Sequence, residues 1–455
     1  MTETNVRSTF HIPYPNPQNR YRLDPGGNPR FPFGLAFTGL LFYLLVSDNL
    51  LVSIGIPYNT PTGSFLFKLH PGTYLIGLGF LVLVFQGHPR QRWAQLFAAA
   101  PAPLLLAGTI VGVLVYTLIR FGPSGNAFFI DTLLTPALLA AILLEAPLKW
   151  RRLLFRTIIG LLVLNALLGI GEALTERRLT PYLAGDQPII EDFFRATALG
   201  GHPLTNALRT ATLLMACLIL PRGWLLFLIP LLVIALLAFG GRTALVMSVV
   251  LLIIWGAYYF FRGIIRRTFD VRLVFGLIFM TFLVAGSIVA LTFSLELGER
   301  IFQNLSWDTS AQSRILIFRA FDYLSLEDWL WGIGPARIDV LLDRLKASTV
   351  LTDFENFWVL LLMQVGLAWF VLIAVTLLGM IASLVWRAPP ALKLAAMIFL
   401  VIASTNNSLA TKSQSLAILV AILIGGAAEA ALATPPHSWR PPIRLGSAMH
   451  QNRHA

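Results

Sequence analysis

The chain has 455 residues, of which 56% are hydrophobic and 12% charged, and its formal net charge is +12. A soluble globular chain carries about 25% charged residues, so this composition excludes an ordinary soluble protein. Its basic residues are spread between apolar segments and form no Lys/Arg-rich patch with interleaved aromatics, which argues against nucleic-acid binding. The single cysteine, Cys217, excludes an internal disulfide and a cysteine-based metal site.

Apolar runs long enough to cross a hydrocarbon layer of about 30 Å recur along the whole chain. We therefore predict an all-α, polytopic integral membrane protein with about twelve spanning helices. The predicted helices are 33–53, 71–87, 97–119, 127–146, 153–172, 204–220, 223–239, 242–261, 272–294, 355–386, 390–405 and 413–430. The tenth, 355–386, exceeds one perpendicular span, so it is expected to tilt strongly or to break near Gln364-Val365-Gly366.

The short loops around Arg90, around Lys149 and around Arg262 are strongly basic, and the positive-inside rule places such loops in the cytoplasm. Both termini are then cytoplasmic: a polar segment 1–32 before the first helix and a basic tail 431–455. Helices one to nine occupy 33–294 and helices ten to twelve occupy 355–430. Two long segments, 173–203 and 295–354, are predicted on the outer side, where loops of this length usually carry function.

The second outer loop has helical patterns of its own. Two amphipathic helices are predicted to lie on the membrane face, one with Ile315, Leu316, Phe318 and Phe321, the other with Ile338, Leu341, Leu342 and Leu345. Between them, the sequence Trp329-Leu330-Trp331-Gly332-Ile333-Gly334-Pro335 indicates an interfacial aromatic anchor followed by a tight turn.

Ionisable residues at the mouths of spanning helices are costly and indicate function. On the outer side these are His202, Arg209, Arg242, Arg314 with Arg319, and the pair Glu355-Asn356. Convergent arginines suit a diphosphate, because a guanidinium binds phosphate oxygens in a bidentate fork, and a nearby glutamate could act as a base.

Simpler roles stay open for each of them. The arginines could reach lipid headgroups, Glu355 could be a helix N-terminal carboxylate, and His202 could be a plain loop residue. Three further outer positions, Asp131, Glu172 and Lys412, are predicted to be structural. The sequence contains no H-E-x-x-H pattern, phosphate loop or G-x-S-x-G elbow, so neither a metal nor a cofactor is expected.

Four local motifs occur in the order found in one family of membrane enzymes. They are Phe194 to Pro203 (FRATALGGHP), Gly241 to Leu245 (GRTAL), Arg314 to Gly334 ending in WGIG, and Glu355-Asn356-Phe357-Trp358 through Gly366-Leu367. With these motifs the chain resembles the bacterial O-antigen ligase and Wzy-type polysaccharide polymerase superfamily, polytopic glycosyltransferases of the GT-C class. The matches span 194–367, whereas the first five helices match in hydropathy alone.

The resemblance implies a glycan donor on a polyprenyl diphosphate, most plainly undecaprenyl diphosphate, at the outer face of a bacterial inner membrane. It assigns the diphosphate to Arg242 and Arg314, and it puts Glu355 where the ligases have a histidine, followed by the matching Asn356. The polymerases' arginine with a glycine eleven residues on is absent from the outer side.

The function predicted from these features is a metal-independent polymerase of exopolysaccharide or O-antigen, with Glu355, Arg242 and Arg314 as catalytic residues. The predicted substrate contacts are His202, Arg209, Arg195, Arg319 and Asn356. Besides the lipid bilayer and the lipid-linked donor, the partners expected are a chain-length regulator and a flippase of the same pathway, and no nucleic acid. An O-antigen ligase acting on lipid A-core and a polysaccharide or lipid transporter are the rivals.

Overall fold

The computed structural model describes residues 30–58, 65–184, 187–188, 194–265, 286, 316–348, 354, 356–405, 409 and 411–433. The predicted helix 272–294, except for position 286, lies outside the described residues, as do Arg314 and Glu355 and most of both predicted cytoplasmic ends.

The described part is helical apart from one antiparallel pair of two-residue strands, β1 (Leu183–Ala184) and β2 (Gln187–Pro188). The helices are α1 (Arg30–Leu45), α2 (Asp48–Ser53), α3 (Pro71–Phe85), α4 (Pro89–Ala99), α5 (Pro101–Phe121), α6 (Asn126–Glu145), α7 (Leu148–Thr175), α8 (Pro203–Cys217), α9 (Arg222–Phe239), α10 (Arg242–Ile265), α11 (Leu326–Trp331), α12 (Gly334–Ser348), α13 (Phe357–Val385), α14 (Pro390–Thr405) and α15 (Ser415–Ala433). Three short 3-10 helices lie at Phe65–Lys68, Ala198–Gly200 and Ile317–Tyr323, and α6 contains a π-helical turn at Phe129–Leu134.

Seven of these helices are long and apolar enough to cross a membrane, namely α5, α6, α7, α9, α10, α13 and α15. An eighth span is possible if α3 and α4, which are bent by 116° at their junction, count as one. This all-helical, apolar architecture is consistent with a polytopic membrane protein. The described helices do not establish the predicted total of twelve, since α1, α8 and α14 have 16, 15 and 16 residues, fewer than the roughly 17–25 of a usual span.

Prolines mark where several helices begin. Pro71, Pro89, Pro101 and Pro203 each stand in the first turn of their helix, where the missing N–H costs nothing. Pro89 and Pro101 bound α4, an eleven-residue helix that the hydropathy pattern did not predict because only its Leu96 is buried.

The predicted helix 33–53 is two helices in the structure. Ser47 interrupts it, because its hydroxyl accepts a hydrogen bond from the N–H of Leu50 and so caps a new helix, α2. Ser, Asp and Asn in succession at 47–49 are a helix-start signal that the continuous apolar pattern concealed.

The expected break in the tenth predicted helix is confirmed. Within α13, Gly366 has φ 77° and ψ 169°, a conformation outside the helical region that separates a half-helix 357–365 from a longer one beyond it. Only glycine adopts a positive φ of this kind without strain.

Close packing between helices relies on small residues. A Cβ at Gly39 would lie 2.7 Å from the carbonyl oxygen of Gly72, which joins α1 to α3, and a Cβ at Gly169 would lie 2.4 Å from the ring of Phe239, which joins α7 to α9. Such contacts let helix backbones approach each other, as in membrane bundles generally. The helix α15 lies in the interior, with nearly every side chain from Ser415 to Ile424 buried.

The bundle has two chemically distinct ends. At one, called the Glu429 end, Glu429 accepts from Arg152 and Arg156, with nearest distances of 2.8 and 3.1 Å, and Glu145 pairs with Arg92 at 3.1 Å. The other, called the Arg209 end, carries Asp131, Arg209 and Lys412 and the first turns of α3, α8, α10, α13 and α15.

The described part of the second outer loop packs onto α13. Its buried residues form a small core, called the loop cluster, with the half-helix 357–365: Ile317, Ala320, Ile333, Ile338, Leu341, Leu345, Phe354, Val359 and Met363. The amphipathic helix α12 therefore turns its apolar face toward protein, where we predicted contact with the membrane surface. The segment 317–323 is a 3-10 helix, shorter and tighter than the predicted amphipathic helix.

Candidate active site at the Arg209 end

The segment that leads into α8 is held by Glu172, near the end of α7. Its carboxylate oxygens accept hydrogen bonds from the backbone N–H groups of Leu179 (2.6 Å), Thr197 (2.7 Å) and Ala198 (2.8 Å). Glu172 is buried, and these bonds replace the water that its carboxylate loses on burial. The structure thus gives this glutamate the structural role predicted for it.

Two buried asparagines fix the same segment from the other side. Asn165 accepts from the N–H of Leu199 at 2.9 Å and donates to the side-chain oxygen of Asn206 at 3.2 Å. Asn206 in turn donates to the carbonyl of Thr197 at 2.5 Å. A Cβ at Gly200 would lie 2.0 Å from the oxygen of Asn206, so no other residue fits there. Asn206 was quoted within the candidate segment but not recognised as its anchor.

His202 caps α8. Its Nδ1 accepts a hydrogen bond from the N–H of Leu204 at 3.2 Å, so the neutral ring carries its proton on Nε2 and donates it to the hydroxyl of Tyr182 at 3.3 Å. Burial, with the positive charge of Arg195, lowers the pKa of His202 from 6.5 to about 4. The ring is therefore a neutral helix cap at pH 7, with its one free lone pair already engaged.

Arg209 lies inside the bundle, with 4% of its surface exposed. Its Nε donates to the hydroxyl of Ser415 at 3.3 Å and its terminal nitrogen donates to the amide oxygen of Gln414 at 3.2 Å. These bonds tie α8 to the start of α15, an internal structural role. The contact with substrate predicted for Arg209 stays a prediction.

A second buried network surrounds Asp131 in the π-helical turn of α6. Its carboxylate accepts from the hydroxyl of Tyr58 (2.8 Å), the hydroxyl of Thr73 (2.7 Å) and the N–H of His70 (3.2 Å). Asp131 is fully buried and saturated by these donors, and π-helical turns are often found at functional sites. It connects α3 and α6 with the loop before α3.

Lys412 belongs to the same network. Its ammonium donates to the carbonyls of Tyr58 and Lys68 and lies 3.9 Å from the centre of the Tyr58 ring. Burial lowers its pKa from 10.5 to about 8, although the charge of Asp131 acts in the opposite direction. The sequence predicted Asp131 and Lys412 to be structural but did not connect them, because their partner Tyr58 lies in a loop with no helical periodicity.

Arg242 is exposed at the first position of α10. The residue before it, Gly241, packs so closely on α8 that a Cβ there would lie 2.4 Å from the Cβ of Ala207. The N–H of Ala196 also donates to the carbonyl of Ala238 at 3.1 Å. The first two motifs, 46 residues apart at Ala196 and Arg242, are therefore in direct contact.

The third and fourth motifs meet at the break in α13. A Cβ at Gly332 would lie 2.5 Å from the carbonyl oxygen of Gln364 and 2.7 Å from the nitrogen of Gly366. The N–H of Ile333 donates to the carbonyl of Met363 at 2.8 Å. The turn Trp331-Gly332-Ile333-Gly334, called the glycine wedge, thus occupies the gap that the helix break opens.

Asn356 caps the half-helix 357–365. Its side-chain oxygen accepts from the N–H groups of Trp358 (3.0 Å) and Val359 (3.2 Å). The indole N–H of Trp358 donates to the hydroxyl of Ser404 at 2.7 Å, which ties this half-helix to α14. Since α14 also packs along α8, the two motif pairs belong to one end of one bundle.

The remaining predicted residues are less tightly placed. Arg195 is half-buried and its carbonyl accepts from Nε of Arg178 at 3.3 Å, whereas Arg319 is exposed on the 3-10 helix 317–323. The candidate catalytic residues Arg314 and Glu355 lie outside the described residues, although Glu355 directly precedes the helix cap Asn356 in the sequence.

Within the part of the chain that the structure describes, no three His, Cys, Asp or Glu side chains come together in a group that could hold a metal. A scan against protein-family models and searches of curated proteins and of solved structures find no match to this chain.

Proposed function

We propose that the protein is a bacterial inner-membrane glycosyltransferase that polymerises an exopolysaccharide or O-antigen, moving glycan from a polyprenyl diphosphate onto a lipid-linked acceptor repeat unit. One observation carries this proposal. Four motifs spread over 194–367 pack in two pairs at the Arg209 end, through Gly241 on Ala207 and Gly332 on Gly366. A set of motifs brought together at one end of a bundle supports a shared site better than four unrelated sequence matches do.

The donor's diphosphate is assigned to Arg242, with Arg314 as its second ligand. Arg242 is exposed at the start of α10 and stands beside the first turns of α8, where helix N-termini favour an anion. A guanidinium there would bind phosphate oxygens and stabilise the charge that develops on the leaving group. Arg195 and Arg319 add positive charge on the same side of the chain's predicted topology.

Glu355 is the proposed base. In this step its carboxylate takes the proton from an acceptor sugar hydroxyl as that oxygen attacks the anomeric carbon of the donor. The bond from the anomeric carbon to the diphosphate oxygen breaks, and the diphosphate leaves with the bonding electron pair. Asn356 supports this arrangement by capping the half-helix at whose start Glu355 stands in the sequence.

The Arg209 end is proposed to face outward and the Glu429 end the cytoplasm. The basic residues Arg92, Arg152 and Arg156 gather at the Glu429 end, as the positive-inside rule expects of a cytoplasmic face. A chain-length regulator and a flippase would then meet the protein in the plane of the membrane.

The direct test is reconstitution of the purified full chain in liposomes with a synthetic undecaprenyl-diphosphate oligosaccharide. We expect longer lipid-linked glycans, seen by gel electrophoresis and mass spectrometry, and their loss in Glu355→Gln, which keeps the side-chain shape but not the proton acceptor. A donor that stays unchanged with the wild-type protein contradicts the polymerase. If added lipid A-core then becomes glycosylated, the protein is the rival ligase.

Transport is the second candidate, because one observation favours it. Discontinuous helices such as α13 are typical of transporters, where they form substrate sites near the middle of the bilayer. Here, however, the gap at Gly366 is filled by the backbone of Gly332, which leaves no space for a substrate in it. Movement of a labelled lipid-linked glycan across the liposome membrane without elongation would favour transport over polymerisation.

A further inference from the structure

Tyr116 of α5 touches both sides of the break in α13. Its hydroxyl donates a hydrogen bond to the carbonyl of Trp331 in the glycine wedge. Its ring lies 5.6 Å from the ring of Trp369, which stands three residues beyond Gly366 on the longer part of α13. One side chain therefore links the wedge to the helix segment on the far side of the break.

The wedge replaces the helical hydrogen bonding that is lost at the break. Gly366 is outside the helical region, so the helix itself does not fix the angle between its two parts. That angle depends on the wedge, through the bond from Ile333 to Met363 and the backbone contact between Gly332 and Gly366. The half-helix also contributes Val359 and Met363 to the loop cluster.

The wedge is in turn fastened to the end of α5. A Cβ at Gly334 would lie 2.7 Å from the ring of Phe121, and Glu327 pairs with Arg120 at 3.0 Å. The ion pair is exposed and contributes little, so the packing contacts and Tyr116 form the firm part of the attachment. A path of contacts therefore runs from α5 through the wedge to the half-helix and ends at its cap, Asn356.

We infer that Tyr116 and the glycine wedge position the Asn356 end of α13 for group transfer. Tyr116 is then a positioning residue that acts through the half-helix without touching the reacting atoms. The inference rests on the proposed function, since it concerns the helix end that follows the proposed base. Misplacing a reacting group by a small distance lowers the rate of the chemical step rather than donor binding, which is assigned to other helices.

Kinetics of Tyr116→Phe tests this role. In the reconstituted system, we expect kcat to fall about fivefold, the equivalent of one neutral hydrogen bond, with an unchanged KM for the donor. The matched control is Thr376→Val, also on α13, whose hydroxyl bonds only to carbonyls of its own helix and so should leave kcat unchanged. A normal kcat in Tyr116→Phe, or a changed KM with normal kcat, overturns the inference.

Hydrogen–deuterium exchange separates this inference from the proposed function, because it needs no activity. Peptides covering 331–334 and 357–365 should exchange faster in Tyr116→Phe than in the wild type, with 415–433 unchanged. Unchanged exchange in both wedge and half-helix contradicts the positioning role, and faster exchange throughout the chain shows general destabilisation and overturns it as well. A wild type that fails to elongate its donor instead removes the proposed function, whatever the exchange pattern.

Discussion

The guanidinium of Arg209 donates a hydrogen bond of 3.3 Å to the hydroxyl of Ser415 across the interface of α8 and α15. The two residues are 206 positions apart in the chain. Both lie in the interior, where hydrogen bonds compensate for the loss of water. This contact explains why a charged residue is tolerated in a nearly fully buried helix.

Arg209→Lys is expected to destabilise the protein. A lysine has a single donor group and cannot reproduce the fork that serves both Ser415 and Gln414, so one buried acceptor loses its donor at a cost of about 1–3 kcal/mol. Thermal unfolding in detergent should report a lower Tm.

Arg242→Lys provides the contrast, because Arg242 is exposed. Its Tm should match the wild type, whereas donor binding in the reconstituted assay should weaken roughly tenfold as the bidentate phosphate contact is lost. Equal loss of Tm in both variants, or undisturbed donor binding in Arg242→Lys, contradicts the separate roles given to these arginines.

Gly366→Ala should be strongly destabilising. The positive φ alone costs about 1–2 kcal/mol for a residue with a Cβ, and the new methyl would lie 2.3 Å from the carbonyl oxygen of Leu330. Gly379→Ala on the same helix meets nothing within 4 Å and should be neutral or slightly stabilising. Urea or thermal unfolding of the two variants side by side checks this, and equal stability would show that the wedge yields to the methyl group.

Acidification should reduce stability through His202. Its pKa is about 4 in the folded protein and 6.5 ordinarily, so between these values the unfolded chain binds a proton that the folded chain does not. The stability present above pH 6.5 is therefore lost as the pH falls toward 4. His202→Asn keeps a helix cap but does not titrate, and its Tm should depend less on pH in this window. An unaltered pH profile would show that other groups dominate.

Glu172→Gln should loosen the segment before α8. The amide retains one oxygen as an acceptor, whereas the carboxylate serves three N–H groups, and a buried donor left without a partner costs about 1–3 kcal/mol. Glu176→Gln, four residues on and exposed, is the matched control and should behave as the wild type. Limited proteolysis within 173–203 should be faster in Glu172→Gln alone; equal cleavage of both variants would argue against the carboxylate as the anchor.

The sequence by itself determined the helical membrane class and the place of the break in α13. Hydrocarbon-length apolar runs have few alternatives to spanning helices, and a glycine in a stretch too long for one span is a local signal. Ser47 and Pro89 were equally local, but the surrounding apolar pattern masked them, so α2 and α4 were not predicted.

Only the tertiary structure decided which polar residues meet. Arg209 and His202 were noticed as charged or polar residues at a helix mouth, yet their partners Ser415 and Tyr182 are side chains with no pattern of their own. The same holds for Gly332 and Gly366, 34 residues apart, whose contact depends on how a loop folds back on a broken helix. Periodicity reports which face of one helix is apolar, whereas a hydrogen bond or a backbone contact between distant segments is set by how the helices pack together.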